Sequence, residues 1–536
     1  TLRPGRFIRV TSLAQGILYV YYGLGTHRGS CIFPCYANGS SFSAPPLVGV
    51  RQMNFRVVSY LLGRLSVACG IVLSVPFGMA VLYKEENINA FGWAVIVCLL
   101  AGTILKYFGK TNVHTLTVRE GIAVTVLGWV MATFLGMIPY AAGGYLSVLD
   151  SVVETVSGFS GTGATVIDDI EALPQSLLLW RSLTHWFGGL GIIVIFIALF
   201  PRFGKGAVRM FNTESTGPTD SRFLPQVKEM ALALFTVYVI FTLACTLALW
   251  ACGLDFLIAA EHAFSTIATG GFSPYNDSVA HFNSPLIEGV LAFFMLISSA
   301  NFGMYVAAWR RGAHIIRKDT EFRMYLSVVA VATALMAGNL ILTLGWDGTY
   351  AVREAFFQTV SISSSTGFVS CDFDQWPAFS KYILLFLMFL GGCAGSTAGG
   401  LKVTRLMLLL KTARALLRQK VYPREVIAVS SNGTEFSEDV LYGVVRFFLV
   451  YVLLDILWAV LLVWDGVPTF EAVGVSISTM GSCGPSFGIF GATCTYSALP
   501  PFSKAVVALS MLMGRLESFS VLVLFLPSFW HRHQGW

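Results

Sequence analysis

The sequence predicts an all-α polytopic membrane protein, with four pseudo-symmetric helix–loop–helix repeats and an N-terminal pair of transmembrane helices. Three observations support this: few charged residues, a regular series of long apolar runs, and one short phrase that occurs four times. Of the 536 residues, 55% are hydrophobic and 12% are charged, whereas a soluble domain is about 25% charged. The net charge of +6 does not indicate nucleic-acid binding, because in a membrane protein its distribution among the loops matters more than its sum.

The long apolar runs predict the membrane spans. Most are near or above the roughly 20 residues that a helix needs to cross a bilayer, and the second is the shortest. They form an initial pair and then four pairs, each of which brackets one copy of the repeated phrase. The predicted spans are 57–83, 92–108, 121–140, 177–200, 229–252, 286–308, 323–345, 381–408, 441–464 and 504–527.

These spans divide the chain into segments. Residues 1–52 form a Pro-, Ser- and Gly-rich stretch without methionine, which we expect to be an extension without fixed structure. Because the first methionine is Met53, we hypothesise that the native protein begins there. The other predicted segments are the helix pair 53–115 and the repeats 116–222, 223–318, 319–435 and 436–536.

Cations and acids separate onto alternate loops. By the positive-inside rule the basic loops face the cytoplasm, so the termini of the ten-span core are predicted to be cytoplasmic and the four phrases to face outward. The basic loops include Arg202, Arg209, Arg310, Arg311, Arg317, Lys411, Arg414 and Arg418. The acidic loops include Asp150, Glu154, Asp168, Asp255, Asp347, Glu354, Asp372 and Glu471.

The repeated phrase contains small and hydroxyl residues around one key glycine. A single run of this kind is typical of helix packing or of a turn, but four copies in register, each between two spans, indicate a shared structure. The copies are SGFSGTGAT at 157–165, STIATGGFS at 265–273, SISSSTGFV at 361–369 and SISTMGSCGPS at 476–486. The key glycines are Gly163, Gly271, Gly367 and Gly484, each with a serine six residues earlier: Ser157, Ser265, Ser361 and Ser478.

Each phrase follows a short apolar run that is too short to cross the membrane. We predict a re-entrant half-helix followed by extended chain, which is tolerated at membrane depth only where it lines a watery cavity or is buried in protein. Four such pieces around an axis form a pore. Their helix C-termini turn the negative ends of the dipoles towards its centre, which favours a cation.

The residues around the glycines fit a filter for a dehydrated monovalent cation. Backbone carbonyls replace the water of such an ion, and glycine adopts at little cost the backbone angles that aim them inward. The phrases contain no carboxylate, which a divalent ion or a proton path would favour, whereas acids at the outer mouth would concentrate cations. The predicted filter is Gly161, Thr162, Gly163, Thr269, Gly270, Gly271, Ser365, Thr366, Gly367, Ser482, Cys483 and Gly484.

Two further features indicate a gate. The run GGCAGSTAGG at 391–400 interrupts the eighth span and fits either helix packing through small residues or a flexible plug below the filter. Arg515 lies inside the apolar tenth span, where a charge is costly and usually functional. It either pairs with backbone carbonyls or an acid of another span, or forms a positive barrier below the filter. The predicted gate is Gly391, Gly392, Gly395, Ser396, Thr397, Gly399, Gly400, Lys402 and Arg515.

Two other classes of membrane protein fit the sequence less well. An intramembrane enzyme would need paired carboxylates or an HExxH motif at membrane depth. The sequence shows neither, so we predict no enzymatic activity. A secondary transporter of an organic solute normally shows two inverted repeats, whereas this sequence has four repeats in the same direction.

Several motifs resemble the Trk/Ktr/HKT superfamily of potassium transporters, and most closely its Trk-type membrane subunit. The resemblance covers about residues 57–530, and the pair of spans before the first repeat resembles the Trk type rather than the shorter Ktr type. The motifs are SGFSGTGATV, HAFSTIATGGFS, SSSTGF and GPSFG in the filter loops, LLWRSLTHWFGGLGIIV at 178–194, GGCAGSTAGGLKVTR at 391–405 and GRLESFSVLVLF at 514–525.

This resemblance implies potassium uptake across a bacterial cytoplasmic membrane through a pseudo-fourfold pore, with potassium as the transported ion and no organic cofactor. It also implies a homodimer, a cytoplasmic nucleotide-binding (RCK-like) ring as regulatory partner, and an intramembrane gating loop at 391–400. In the related plant carriers, a serine in place of the first key glycine goes with sodium transport. The resemblance therefore implies that Gly163 favours potassium over sodium. Departures from the family pattern leave a sodium/potassium transporter of relaxed selectivity as the alternative; they lie at Gly161, Thr366, Ser482, Cys483 and Ser486.

Overall fold

The computed structural model describes residues 6–10, 17–24, 32–36, 53–110, 117–191, 227–424, 428–432 and 434–530. They belong to two units, residues 1–52 with 534–536 and residues 53–533. The first unit contains an antiparallel sheet of β1 (Arg6–Val10), β2 (Ile17–Leu24) and β3 (Ile32–Tyr36), in that order. These strands differ from the expectation of no fixed structure, because β-branched and aromatic residues, which favour strands, are frequent in them.

The second unit is helical, and each repeat has the same order of elements: a long helix, a short buried helix and a second apolar helix. The leading pair is α1 (Phe55–Tyr83) and α2 (Ile88–Phe108). The first repeat has α3 (Val118–Gly136), α4 (Ile138–Ala142), α5 (Val148–Ser160) and α6 (Gln175–Gly189). The second has α7 (Val227–Ala251), α8 (Phe256–Ala268), α9 (Pro285–Ser298), α10 (Phe302–Arg311) and α11 (His314–Lys318).

The last two repeats follow the same order. The third has α12 (Thr320–Leu344), α13 (Gly348–Ser363), α14 (Ala378–Leu390) and α15 (Val403–Val421). A hairpin of β4 (Ser430–Ser431) and β5 (Thr434–Glu435) leads into the fourth. That repeat has α16 (Glu438–Trp464), α17 (Thr469–Met480), α18 (Pro501–Arg515), α19 (Phe519–Leu524) and α20 (Pro527–Trp530).

Within the described residues, six helices are long and apolar enough to span a membrane, counting α3 with α4. They leave large apolar side chains exposed, such as Leu82 at 82% and Leu342 at 86%, as expected of surfaces that face lipid. The short helices in the middle of each repeat are instead buried, with Val153 and Val360 at 0%. The prediction of an all-α membrane protein is confirmed.

The second apolar helix of the later repeats is broken. The predicted sixth span consists of α9 and α10, which meet at 84°, and the predicted tenth span stops at Arg515 and resumes at Phe519. Neither of these predicted spans is therefore one continuous helix. In the eighth span the chain leaves the helix at Leu390 and resumes at Val403. The end of the predicted fourth span, together with the basic positions Arg202 and Arg209, lies outside the described residues.

Candidate functional site

Four short buried helices, α5, α8, α13 and α17, carry the repeated phrases. The side chains of Ser147, Asp255 and Asp347 accept hydrogen bonds from backbone amides in the first turns of the first three, and such caps fix where a helix begins. Every helix ends inside its phrase, so the negative ends of four helix dipoles lie beside the key glycines.

The phrase has the same backbone conformation in all four copies. Both the key glycine and the residue two positions before it have positive φ, a region that only glycine enters freely. The key glycines have φ of 80° at Gly163, 82° at Gly271, 80° at Gly367 and 97° at Gly484. The earlier positions have φ of 72° at Gly161, 54° at Thr269, 55° at Ser365 and 53° at Ser482.

The serine six residues before each glycine marks the turn that ends the helix. Its carbonyl accepts a hydrogen bond from the amide of the residue that precedes the key glycine. The pairs, with their N···O distances, are Thr162 with Ser157 (3.0 Å), Gly270 with Ser265 (2.8 Å), Thr366 with Ser361 (2.9 Å) and Cys483 with Ser478 (2.9 Å). The spacing seen in the sequence is thus the spacing of a repeated backbone turn.

The hydroxyls of these serines differ between copies. Ser361 donates to the carbonyl of Phe368 at 2.6 Å, and Ser478 donates to that of Pro485 at 2.9 Å. In copies three and four the hydroxyl therefore holds the extended segment that follows the glycine. The hydroxyls of Ser157 and Ser265 have no such partner among the described residues.

The four glycines form a closed ring. A Cβ atom added to any of them would come within 3.0 Å of a backbone carbonyl oxygen of the next copy, closer than real Cβ atoms approach. In cyclic order, Gly163 faces the carbonyl of Gly270, Gly271 that of Thr366, Gly367 that of Cys483, and Gly484 that of Thr162. The structure thus brings together the predicted filter residues of all four repeats.

A cavity of about 100 Å³ opens on one side of this ring, and we call it the vestibule. All four key glycines line it, together with the residues that follow them. Of its described lining residues, Asp168 and Arg181 carry charge. Of the predicted outer acids, Asp168 thus lines the vestibule. By contrast, Asp150 pairs with Lys504 at 2.6 Å, and buried Glu354 accepts a hydrogen bond from Ser370 at 2.5 Å.

Residues 391–402, which we call the gate loop, lie on the opposite side of the ring. The amide of Gly399 donates to the hydroxyl of Ser365 at 2.6 Å, and a Cβ atom at Gly399 would collide with the carbonyl of Gly481. Thr397 donates to the carbonyl of Ile267 at 3.1 Å. The gate loop therefore contacts filter segments of copies two, three and four.

Arg515 completes this contact at the first repeat. Its guanidinium donates to the carbonyl of Thr397 in the gate loop at 3.1 Å and to the carbonyls of Gly188 and Gly189, at 2.6 Å for the latter. The sequence left open whether Arg515 pairs with backbone carbonyls or lies below the filter, and both descriptions fit this position. Its neighbour Glu517 pairs instead with Arg405 at 2.7 Å.

Glu321 binds backbone amides in and next to the gate loop. The sequence analysis did not identify this residue. One of its carboxylate oxygens accepts hydrogen bonds from the amides of Ala394, at 2.6 Å, and Thr404, at 3.2 Å. The first amide lies within the glycine-rich run of the gate loop, and the second lies just after the loop, in the first turn of α15. The preceding residues of α12 are tied to the β4–β5 hairpin, because Thr320 donates to Asn432 at 2.9 Å.

A buried ion pair beside the vestibule was also missed. Arg181 of α6 and Glu154 of α5 are joined at 2.9 Å, with side-chain exposures of 2% and 0%. Removing one partner of such a pair typically costs about 3–5 kcal/mol, because the other charge stays buried. The signal in the sequence was two charges in apolar surroundings, but nothing in their spacing links them.

Two histidines near the filter, His185 and His262, are packed among other side chains. His185 lies edge-on to Phe272, with ring centres 4.1 Å apart, and fills the space beside Gly270, where a Cβ atom would meet the imidazole. His262 contacts Ser273 at 3.3 Å. Among the described residues, no cluster of His, Cys, Asp or Glu could hold a metal ion through its side chains.

Comparison with known proteins gives a consistent result. A family model described as TrkH, cation transport protein, matches residues 87–532. The Trk system potassium uptake protein TrkH of Escherichia coli K12 is 34% identical, covering 89% of this chain and 100% of the relative. TrkG of the same organism is 30% identical, with 90% and 100% covered.

A solved structure has the same fold. The crystal structure of the potassium transporter TrkH from Vibrio parahaemolyticus aligns with a TM-score of 0.81 at 32% identity, covering 89% of this chain and 100% of that one. Together with the match over most of the sequence, this similarity shows that the chain belongs to the TrkH family of cation transport proteins.

Proposed function

We propose that this protein takes up potassium ions across a bacterial cytoplasmic membrane through one filter built from its four phrases. The closed ring of glycines carries the proposal. In each copy, the carbonyl of the residue before the key glycine faces the key glycine of a neighbouring copy. Four such carbonyls, one from each copy, are available to surround a dehydrated ion. The related TrkH and TrkG proteins are named as potassium uptake proteins.

The departures from the family pattern leave this set of carbonyls in place. Cys483 is fully buried, and its thiol points to the carbonyl of Ile362, at 3.8 Å, in helix α13. Its own carbonyl is the one that faces Gly367. The side chain thus differs while the backbone oxygens stay, which favours potassium over the relaxed sodium/potassium alternative.

We propose that the gate loop closes the pore and that the hydrogen bonds of Arg515 hold it to the first repeat. The loop lies against the ring on the side opposite the vestibule and runs into α15, which carries Lys411, Arg414 and Arg418. By the positive-inside rule these cations support a cytoplasmic location for that side and an outer location for the vestibule. The homodimer and the cytoplasmic nucleotide-binding ring belong to this proposal as expected partners.

Flux in liposomes tests the proposal. We expect the purified protein to pass potassium down an imposed gradient and to pass sodium more slowly. Replacing Gly163 with Ser adds a Cβ atom where the carbonyl of Gly270 lies, so the sodium-to-potassium flux ratio should rise above that of the wild type. Rescue of a potassium-uptake-deficient bacterium on low potassium gives a second readout.

Gly144→Ser is the matched control. Gly144 also has positive φ, 73°, but a Cβ atom there meets nothing within 4 Å. The control should therefore carry the same backbone strain and keep the wild-type ratio. A wild-type protein that passes sodium and potassium equally, or that passes neither, contradicts the proposed function.

A further inference from the structure

We propose that Arg181 and Glu154 are positioning residues that join filter copies one and two at the vestibule and help to set ion selectivity. The inference rests on the proposed function, because it assigns these two side chains a part in the same filter. They contact the extended segments that follow the key glycines of these two copies. We call the pair the filter brace.

Arg181 is the centre of the brace. Besides the bond to Glu154, its guanidinium donates to the carbonyl of Ser273 at 3.1 Å and to the hydroxyl of Thr165 at 3.3 Å. Thr165 and Ser273 stand two residues after the key glycines of copies one and two. The guanidinium carbon also lies 4.1 Å from the ring centre of Phe272. One side chain thus contacts the segments that follow the key glycines of two neighbouring copies.

Glu154 fixes the first of these strands in turn. Its carboxylate accepts hydrogen bonds from the hydroxyl of Thr165 at 3.0 Å and from the amide of Val166 at 3.0 Å. The arginine needs its planar fork of donors to reach three acceptors at once, and a lysine, with its compact ammonium, does not have this geometry.

The equivalent position in the other copies supports a positioning role. The residue nine before the key glycine is Glu154 in copy one, His262 in copy two, Gln358 in copy three and Val475 in copy four. His262 contacts the hydroxyl of Ser273 at 3.3 Å, and Gln358 donates to that of Ser370 at 3.2 Å. Val475 has no polar group for such a bond.

The filter is therefore held unequally around its ring. Between copies one and two the residues at this position make a buried ionic link, in copies two and three they make a neutral hydrogen bond, and in copy four the valine side chain at this position makes none. A ring of carbonyls distinguishes ions by where its oxygens are held, so loosening the strongest link should let the ring fit a different ion.

The test uses Glu154→Gln and Arg181→Lys in the full-length protein, reconstituted in liposomes with potassium, rubidium or sodium gradients. Each change keeps the size of the side chain and part of its hydrogen bonding. We expect potassium flux to persist and the sodium-to-potassium flux ratio to rise by about tenfold, the scale of a lost hydrogen bond to a charged group. A residue that merely stabilised the fold would lower the amount of active protein without changing this ratio.

Lys504→Gln is the matched control, because it breaks the ion pair with Asp150, in the first turn of the same helix α5, and should keep the wild-type ratio. Wild-type ratios in folded Glu154→Gln and Arg181→Lys overturn the inference. If neither variant folds, Thr165→Val decides, since it keeps the ion pair and removes only its hydroxyl link. Absence of potassium flux in the wild type would instead contradict the proposed function itself.

Discussion

Asp168 places a negative charge in the lining of the vestibule. Hydrogen bonds with Ser497 and Thr495, and then the nearby charge of Lys504, hold the pKa of this carboxyl below its ordinary value of 3.8. A lowered pKa means that the carboxylate keeps its charge while the pH falls through the range where an ordinary aspartate is protonated. It therefore attracts cations throughout the physiological pH range.

Replacing Asp168 with Asn should lower potassium uptake about two- to threefold at low ionic strength, because the local cation concentration falls. The difference should vanish near 1 M salt, where the Debye length is about 3 Å. In the wild type, uptake at low ionic strength should persist while the pH falls through the range where an ordinary aspartate is protonated, because the pKa of Asp168 is lowered. Flux assays across salt and pH measure both effects.

Asp439→Asn makes the same change in net charge at the start of α16, away from the vestibule, and serves as the control. If Asp168→Asn and Asp439→Asn have equal uptake at low salt, Asp168 does not concentrate ions.

At the scale of single residues, the sequence predicted what depends on repetition and missed what depends on partners across the fold. The key glycines and serines stand at one spacing in four copies, so their shared backbone turn could be inferred. Arg181 and Glu154 are 27 residues apart on different helices and occur once. Glu321 is farther still from Ala394, 73 residues along the chain. Only the folded chain brings such pairs together.

Among the elements, the gate loop and the break between α9 and α10 are joined by backbone hydrogen bonds. The amide of Cys393 donates to the carbonyl of Ser299 at 2.9 Å, and that of Phe302 to the carbonyl of Gly395 at 3.0 Å. Backbone groups freed by one break are thus satisfied by the other, as a membrane interior requires. Glycine and alanine made the break at 391–400 predictable, whereas Ser299 and Asn301 contain no comparable signal.

Deleting residues 394–398 should raise basal potassium flux, because it removes the contacts of Thr397 with the carbonyls of Ile267 and Ser298 and with Arg515. Thr397→Val, which loses only the hydroxyl, should raise the flux less. Liposome flux per folded protein is the measurement.

Thr236→Val is the control, since the hydroxyl of Thr236 bonds only the preceding turn of its own helix, at Leu232, on an exposed face. Normal expression of the deletion variant with unchanged flux would count against a gate at this loop.

For the whole molecule, the proposed filter would make a bound ion a cross-link between all four repeats. An ion that binds only the folded ring stabilises the fold by mass action, about 2.7 kcal/mol at a concentration 100 times the dissociation constant. The melting temperature should therefore be higher in potassium than in an equal concentration of choline.

The Gly163→Ser protein should lose this potassium-dependent shift, whereas Gly144→Ser should keep it. Equal melting temperatures in the two salts for the wild type would show that the ring holds no ion tightly in the resting protein. Thermal unfolding in detergent measures both.

The order of the ring also bears on how the protein is made. Gly163 meets copy two, Gly271 meets copy three and Gly367 meets copy four, but the carbonyl of Thr162 has to wait for Gly484. A ribosome that releases the chain from its N-terminus must synthesise nearly the whole protein before the last neighbour arrives. In the proposed function, incomplete chains inserted in the membrane therefore lack a closed filter, and selective uptake begins only when the fourth copy is in place.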